Sequence, residues 1–272
     1  MTWGLAPEET GTFDNGMEFL RFGDGDRVAL WLPGGPGSEV PTGWAASIQG
    51  RQLRPLVDAG FAVWLVSRRR NMPADHGIAE MAADLADLIE QRFDGRVELL
   101  VGLSYGGMIA QYVASLYPDM IERLVIALSA ARITDWGREV DVRWAQARVD
   151  KRNQDAGEAM AEYVFPEPDQ QWQRKLVGAV MGLAFANSQV PDGDLLVEAR
   201  AEAFFDATDL LPNITAPTLI LHAAQDMFFT EEIIEETAAL IPDCRVITYP
   251  GQGHMRASVA SRIAVDAAQF CA

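Results

Sequence analysis

Short runs of consecutive apolar residues recur along this chain, and amphipathic segments separate them. Residues 63–66, 99–101 and 219–221 are uninterrupted apolar runs. Such runs suit strands that are buried on both faces, as in a parallel sheet. The predicted strands span residues 17–22, 28–32, 61–67, 97–102, 124–128, 218–222 and 245–249.

Helical periodicity fills most of the gaps between these strands. In residues 80–90, apolar side chains recur on one face and acidic side chains take the other. A second apolar stripe ends at Pro118, and two further helices are predicted over residues 231–240 and 258–270. The alternation predicts an α/β protein with a doubly wound, mostly parallel sheet and right-handed crossovers.

The alternation stops between residues 131 and 211, where no convincing strand is found. Pro166, Pro168 and Pro191 divide this stretch into short helical segments. We therefore predict a core made of residues 1–130 and 212–272, with residues 131–211 inserted as a helical cap, or lid.

The net charge and the composition exclude some classes of binding partner. The formal net charge is −17, which argues against binding to nucleic acid or to an anionic membrane surface. The sequence shows no secretory signal and no membrane span. Its three histidines and two scattered cysteines are not spaced as metal ligands would be. We expect a cytoplasmic protein with a small-molecule substrate, no cofactor and no metal; the sequence is also compatible with a homodimer.

The sharpest motif is Gly-x-Ser-x-Gly at residues 102–106, with Ser104 at its centre. It directly follows a predicted strand and directly precedes a predicted helix, so the serine hydroxyl would stand out over the sheet edge. Ser104 is therefore a candidate nucleophile. The alternative is an ordinary helix N-cap, for which serine is also common.

A serine hydroxyl needs a base to become nucleophilic at neutral pH. His254 lies on a glycine-rich loop after the last predicted strand, from which it can reach the carboxyl ends of the strands. His222 ends a buried strand and His76 precedes a helix, so we expect both of these to be packing residues.

The histidine in turn needs a carboxylate to fix its tautomer. Asp226 lies four residues past the predicted strand 218–222 and is the candidate. It could instead cap the next helix, and Asp209 and Asp243 are less well placed rivals.

A glycine loop at residues 34–37 follows the strand 28–32. Acyl transfer places negative charge on a carbonyl oxygen, which preorganised N–H donors stabilise. The backbone N–H groups of Gly35 and Tyr105 are the candidates for this oxyanion hole, and Pro36 would stiffen the loop. The alternative is a simple turn.

Together, these motifs resemble the α/β-hydrolase superfamily over nearly the whole chain. The family's oxyanion loop, often His-Gly-Gly-Pro-Gly, corresponds to residues 33–37, and its nucleophile elbow corresponds to residues 102–106. The family acid and histidine match Asp226 and His254, and residues 131–211 look like the family's cap. Pro33 replaces the histidine that normally braces the loop, and a serine nucleophile argues against the aspartate-dependent dehalogenases and epoxide hydrolases.

The Gly-Gly-Pro-Gly form also resembles that of proline iminopeptidases, whose cap carries acidic residues that hold a substrate amino group. Four cap glutamates could do this, although we expect them to be solvated helix faces: Glu158, Glu162, Glu198 and Glu202.

We predict a cofactor-free, carboxylesterase-like serine hydrolase (EC 3.1.1 type) that acts on an apolar or aromatic ester under the cap. The alternatives are a proline iminopeptidase-like aminopeptidase, or a lactonase, carbon–carbon bond hydrolase or cyanohydrin lyase with the same triad. A non-catalytic ligand receptor on this fold is the alternative from another class.

Overall fold

The computed structural model describes residues 4–35, 38–186 and 190–272. The strands in these ranges are β1 (Glu9–Thr12), β2 (Met17–Phe22), β3 (Arg27–Leu32), β4 (Phe61–Arg69), β5 (Leu99–Leu103), β6 (Leu124–Ala127), β7 (Thr218–Ala223) and β8 (Cys244–Tyr249). They form one sheet in the order β1-β2-β4-β3-β5-β6-β7-β8.

The sheet is parallel from β4 to β8 along that order, while β1 and β2 are antiparallel additions at one edge. The predicted doubly wound, mostly parallel sheet is therefore confirmed. β1 was not predicted, because its sequence Glu-Thr-Gly-Thr carries no apolar pattern.

Helices cover both faces of the sheet. The α-helices are α1 (Gly43–Asp58), α2 (Ile78–Arg92), α3 (Tyr105–Leu116), α4 (Asp135–Val149), α5 (Asn153–Ala161), α6 (Gln171–Phe185), α7 (Asp192–Ala203), α8 (Glu231–Leu240), α9 (His254–Ser258) and α10 (Arg262–Phe270). Helices α2, α3 and α8 share one buried apolar cluster, and α1 and α10 share the cluster on the opposite face. The consecutive apolar runs of the central strands feed both clusters, which is why these strands do not alternate.

In the described part of the chain, helices α4 to α7 lie between β6 and β7, and we use the word cap below as a name for this inserted segment only. Residues from this insertion and from the carboxyl ends of the strands line a common pocket. None of the helices among the described residues combines the length and the apolar character that a membrane span requires.

Candidate active site

Ser104 lies on a strained turn between β5 and α3. Its backbone has φ 52° and ψ −116°, a region that a residue with a side chain rarely adopts, at a cost of about 1–3 kcal/mol. The sheet holds it there, since the Ser104 N–H donates to Ala127 O at 2.8 Å. A Cβ on Gly106 would lie 2.4 Å from Leu32 O, so only glycine allows α3 to approach β3 this closely.

His254 and Asp226 complete a hydrogen-bonded chain with Ser104. His254 Nε2 lies 3.0 Å from Ser104 Oγ, and His254 Nδ1 lies 2.7 Å from Asp226 Oδ2. These three side chains come from loops after β5, β7 and β8, whose carboxyl ends meet at one edge of the sheet. In this arrangement, the imidazole can remove the proton of the hydroxyl as the hydroxyl oxygen attacks an electrophile, while the carboxylate orients the imidazole.

The His254 imidazole is held from two sides. Asp226 uses its second oxygen, Oδ1, to accept the backbone N–H groups of Phe228 at 2.8 Å and Phe229 at 3.2 Å. The rings of these two phenylalanines pack beside the His254 imidazole, with centroids 4.9 and 6.0 Å away. The imidazole is therefore fixed both by its hydrogen bond and by aromatic packing.

The other two histidines lie elsewhere. His76 lies just before α2, and its Nε2 is 2.8 Å from Oδ2 of Asp84 on that helix. His222 is buried at the end of β7, where desolvation lowers its pKa. The rival acids Asp209 and Asp243 are both exposed, and Asp243 precedes β8 at the opposite edge of the sheet.

The loop after β3 places Gly35 beside this chain. Gly35 has φ +69°, which explains the glycine, because a side chain in this conformation would be strained. Tyr105 is the first residue of α3, so its N–H is not used by the helical ladder and lies at the positive end of the helix dipole. Pro36, which was predicted to stiffen the loop, lies outside the described residues.

A pocket with about 950 Å³ of empty space opens above Ser104. Both oxyanion candidates and His254 line it, and the cap contributes Met160 and Tyr163. A second cavity, which is open to solvent, meets the first at His254 and Phe228. An electrophile at Ser104 therefore has space on two sides, one of them next to the imidazole.

Two cap carboxyls form the polar wall of the pocket. Asp141 on α4 and Glu202 on α7 are buried within hydrogen-bonding reach of each other, and the Tyr163 hydroxyl donates to Asp141 Oδ1. Burial raises the pKa of Asp141 and raises that of Glu202 well above its usual value, with the neighbouring carboxyl adding to the Glu202 shift. No lysine or arginine appears among the described lining residues, so this wall offers no cation to a substrate anion.

The expectation that the four cap glutamates are solvated was wrong for Glu198 and Glu202, which are 0% and 6% exposed. Glu158 is partly buried, and Glu162 pairs with Arg143 and Arg174. The sequence did not reveal their burial, because Glu198 and Glu202 contact Arg68 and Asp141, which lie far away along the chain.

The sequence analysis missed Asp141, which lines the pocket, and Arg68, whose side chain donates to the carbonyl oxygens of Pro33 and Gly35. Arg68 was one of three consecutive arginines at the end of an apolar strand, and a charge at the carboxyl end of a buried strand was the available signal. In residues 4–35, 38–186 and 190–272, no three histidine, cysteine or acidic side chains are grouped as metal ligands would be.

Comparison with known proteins identifies the family of this chain, one relative and structures with the same fold. The model of a family described as "Alpha/beta hydrolase family" matches residues 29–265. The chain is 28% identical over 179 residues to "Putative carbamate hydrolase RutD" of Yersinia enterocolitica, which covers 63% of this chain and 61% of that protein.

Solved structures that share the fold include a lactonase and an esterase. An enol-lactonase from Burkholderia xenovorans is 22% identical with a TM-score of 0.69, covering 96% of this chain and all (100%) of the other. A thermophilic esterase from Thermogutta terrifontis, with malate bound, is also 22% identical with a TM-score of 0.69, covering 98% of this chain and 96% of the other.

Proposed function

The chain belongs to the alpha/beta hydrolase family, and we propose that it cleaves a carboxylic ester through an acyl-enzyme formed on Ser104. The observation that carries the proposal is the continuous hydrogen-bonded chain from Ser104 through His254 to Asp226 at the floor of a pocket. The enol-lactonase and the esterase described above act on bonds of this class.

In the proposed first half-reaction, Ser104 Oγ attacks the ester carbonyl carbon while His254 Nε2 accepts the hydroxyl proton. Asp226 keeps the other imidazole nitrogen protonated and stabilises the charged ring. The N–H groups of Gly35 and Tyr105 receive the negative carbonyl oxygen. The carbon–oxygen bond then breaks, and His254 returns its proton to the departing alcohol.

In the second half-reaction, a water molecule gives a proton to His254 and attacks the acyl carbon. Ser104 leaves with the proton that His254 returns, and the carboxylic acid is released. The second cavity beside His254 offers room for the leaving alcohol next to the group that protonates it.

The pocket lining supports an apolar or aromatic substrate. Trp31, Leu103, Phe228 and the methionines around the opening are apolar, and burying an apolar group against them is favourable. The Asp141–Glu202 wall supports a second candidate, an aminopeptidase of the proline iminopeptidase type, because buried carboxyls can hold a substrate ammonium group. The same wall disfavours substrates that carry a carboxylate close to the scissile bond.

The test compares initial rates on a short-chain aryl ester and on a prolyl anilide. Ser104→Ala is expected to lower ester turnover by about 10³-fold or more, as loss of a triad nucleophile does. The exposed Ser261→Ala, outside the pocket, is the matched control and should keep wild-type rates.

Serine-dependent cleavage of the ester alone supports the esterase, and preferential cleavage of the anilide supports the aminopeptidase. An Ser104→Ala variant that keeps wild-type turnover contradicts both. Tight binding of these compounds without any turnover by the wild-type protein would instead favour the receptor alternative.

A further inference from the structure

Arg68 forms hydrogen bonds with the loop that carries Gly35. It lies near the end of β4 and is only 4% exposed. Its Nη1 donates to Pro33 O at 3.0 Å, and its Nη2 donates to Gly35 O at 2.6 Å. These two carbonyls belong to the peptide groups on either side of the Gly34–Gly35 peptide, whose N–H is the proposed oxyanion donor. Fixing both neighbours fixes the direction in which that N–H points.

The same guanidinium also contacts the second donor residue. Its central carbon lies 4.9 Å from the centroid of the Tyr105 ring, within the range of a cation–π contact. The Tyr105 hydroxyl donates to the backbone oxygen of Glu198 at 3.1 Å. One buried cation therefore touches both residues whose N–H groups would form the oxyanion hole.

The third contact of Arg68 reaches the cap. Arg68 Nε donates to Glu198 Oε1 on α7 at 2.8 Å, and Glu198 is 0% exposed. Removing either member would leave a buried charge without this partner, which is strongly destabilising. Asp194, one turn earlier on α7, fastens the helix to the core by accepting from Ser38 Oγ, Asn71 N and Met72 N.

We infer that Arg68 is the positioning residue of the oxyanion hole and that Glu198 holds it in place from the cap. This inference rests on the proposed function. Pro33, at the position where a bracing side chain would stand, has no side-chain donor, and the planar fork of Arg68 supplies two donors to the loop instead. Docking of α7 and assembly of the oxyanion hole are then one structural event.

The test measures how fast a fluorophosphonate probe labels Ser104, followed by intact-protein mass spectrometry. The probe forms a tetrahedral phosphonyl adduct that places an oxygen in the oxyanion hole, and it requires no knowledge of the natural substrate. The variants are Arg68→Gln, Arg68→Lys and Glu198→Gln. Arg70→Gln is the matched control, since this neighbouring arginine pairs with Glu18 at a partly exposed site.

Loss of oxyanion stabilisation predicts labelling and kcat that fall about 10²-fold in Arg68→Gln, with KM for the aryl ester nearly unchanged. Arg68→Lys keeps the charge but not the fork, and Glu198→Gln keeps an acceptor but not the charge, so we expect smaller losses of about tenfold in each. The control should stay within about twofold of wild type, as surface ion pairs contribute little. The loss of a buried ion pair lowers the melting temperature under either role. A purely structural role would leave the rate per folded molecule unchanged.

Folded Arg68 variants that label at the wild-type rate overturn the inference. If Arg68→Gln does not fold, Arg68→Lys and Glu198→Gln decide the question in the same assay. Wild-type protein that the probe does not label at Ser104 contradicts the proposed nucleophile itself, and that result is distinct from equal labelling of wild type and variants.

Discussion

At the scale of single residues, Asp226 uses each of its oxygens for a different purpose. Oδ2 faces His254, and Oδ1 accepts two backbone N–H groups of the loop that carries Phe228 and Phe229. The carboxylate therefore orients the His254 imidazole and also shapes the loop that packs against this ring. Its side chain is buried, so its hydrogen bonds face little competition from water.

Asp226→Asn separates these two roles. The amide oxygen can keep the two backbone hydrogen bonds, but the NH₂ group then faces His254 Nδ1 and favours the wrong tautomer. We expect kcat on the aryl ester to fall by about 10⁴-fold, as in other triads, with little change in melting temperature. The control is Asp243→Asn, an exposed acid at the far edge of the sheet, and an Asp226→Asn enzyme as active as this control would contradict the assigned role.

At the scale of elements, helix α7 buries three acidic side chains together with its apolar ones. Asp194, Glu198 and Glu202 follow one another at four-residue intervals, and each meets a different partner. Asp194 holds core loops, Glu198 holds Arg68, and Glu202 faces Asp141 in the pocket. One helix face thus connects the core, Arg68 beside the Gly35 loop, and the pocket above Ser104.

Asp194→Ala tests how firmly this helix is fastened. The change leaves the buried N–H of Met72 and the N–H of Asn71 without their acceptor, and a buried unsatisfied donor costs about 1–3 kcal/mol. We expect urea denaturation to show a loss of about 3 kcal/mol in the free energy of unfolding. Asp192→Ala, on the same helix, removes only an exposed pair with Lys151 and should change it by less than about 1 kcal/mol. Equal effects of the two substitutions would contradict the anchoring role.

The sequence predicted elements wherever packing leaves a periodic apolar pattern. All seven predicted strands are found with shifts of a few residues, and Ser104, Asp226 and His254 lie together as their loops suggested. Helix α1 was missed because two of its four buried positions are Ala46 and Gly50, which give a weak apolar signal. Partners of buried charges could not be predicted, since Arg68 and Glu198 meet only after the cap has folded over the core.

At the scale of the whole molecule, the cap closes two carboxyls into a pocket within a chain whose net charge is already −17. Acids whose native pKa is raised make the native state bind more protons than the unfolded chain. Stability then falls as pH rises from the unfolded pKa, near 4, towards the native pKa. The Asp141–Glu202 pair should therefore weaken the folded state at neutral and alkaline pH.

Glu202→Gln provides a permanently uncharged partner whose NH₂ group can donate to Asp141. We expect its melting temperature to match that of wild type near pH 4.5 and to exceed it increasingly up to pH 8, because the variant no longer has to bury a second charge. Glu232→Gln, at an exposed position on α8, should differ from wild type by the same small amount at every pH. If the melting temperatures of wild type and Glu202→Gln changed in parallel with pH, the pKa values of the Asp141–Glu202 pair would not be raised as their burial implies. A growing difference would show that the fold gives up stability to keep two acids in the pocket, which is the behaviour expected of groups retained for binding a substrate rather than for packing.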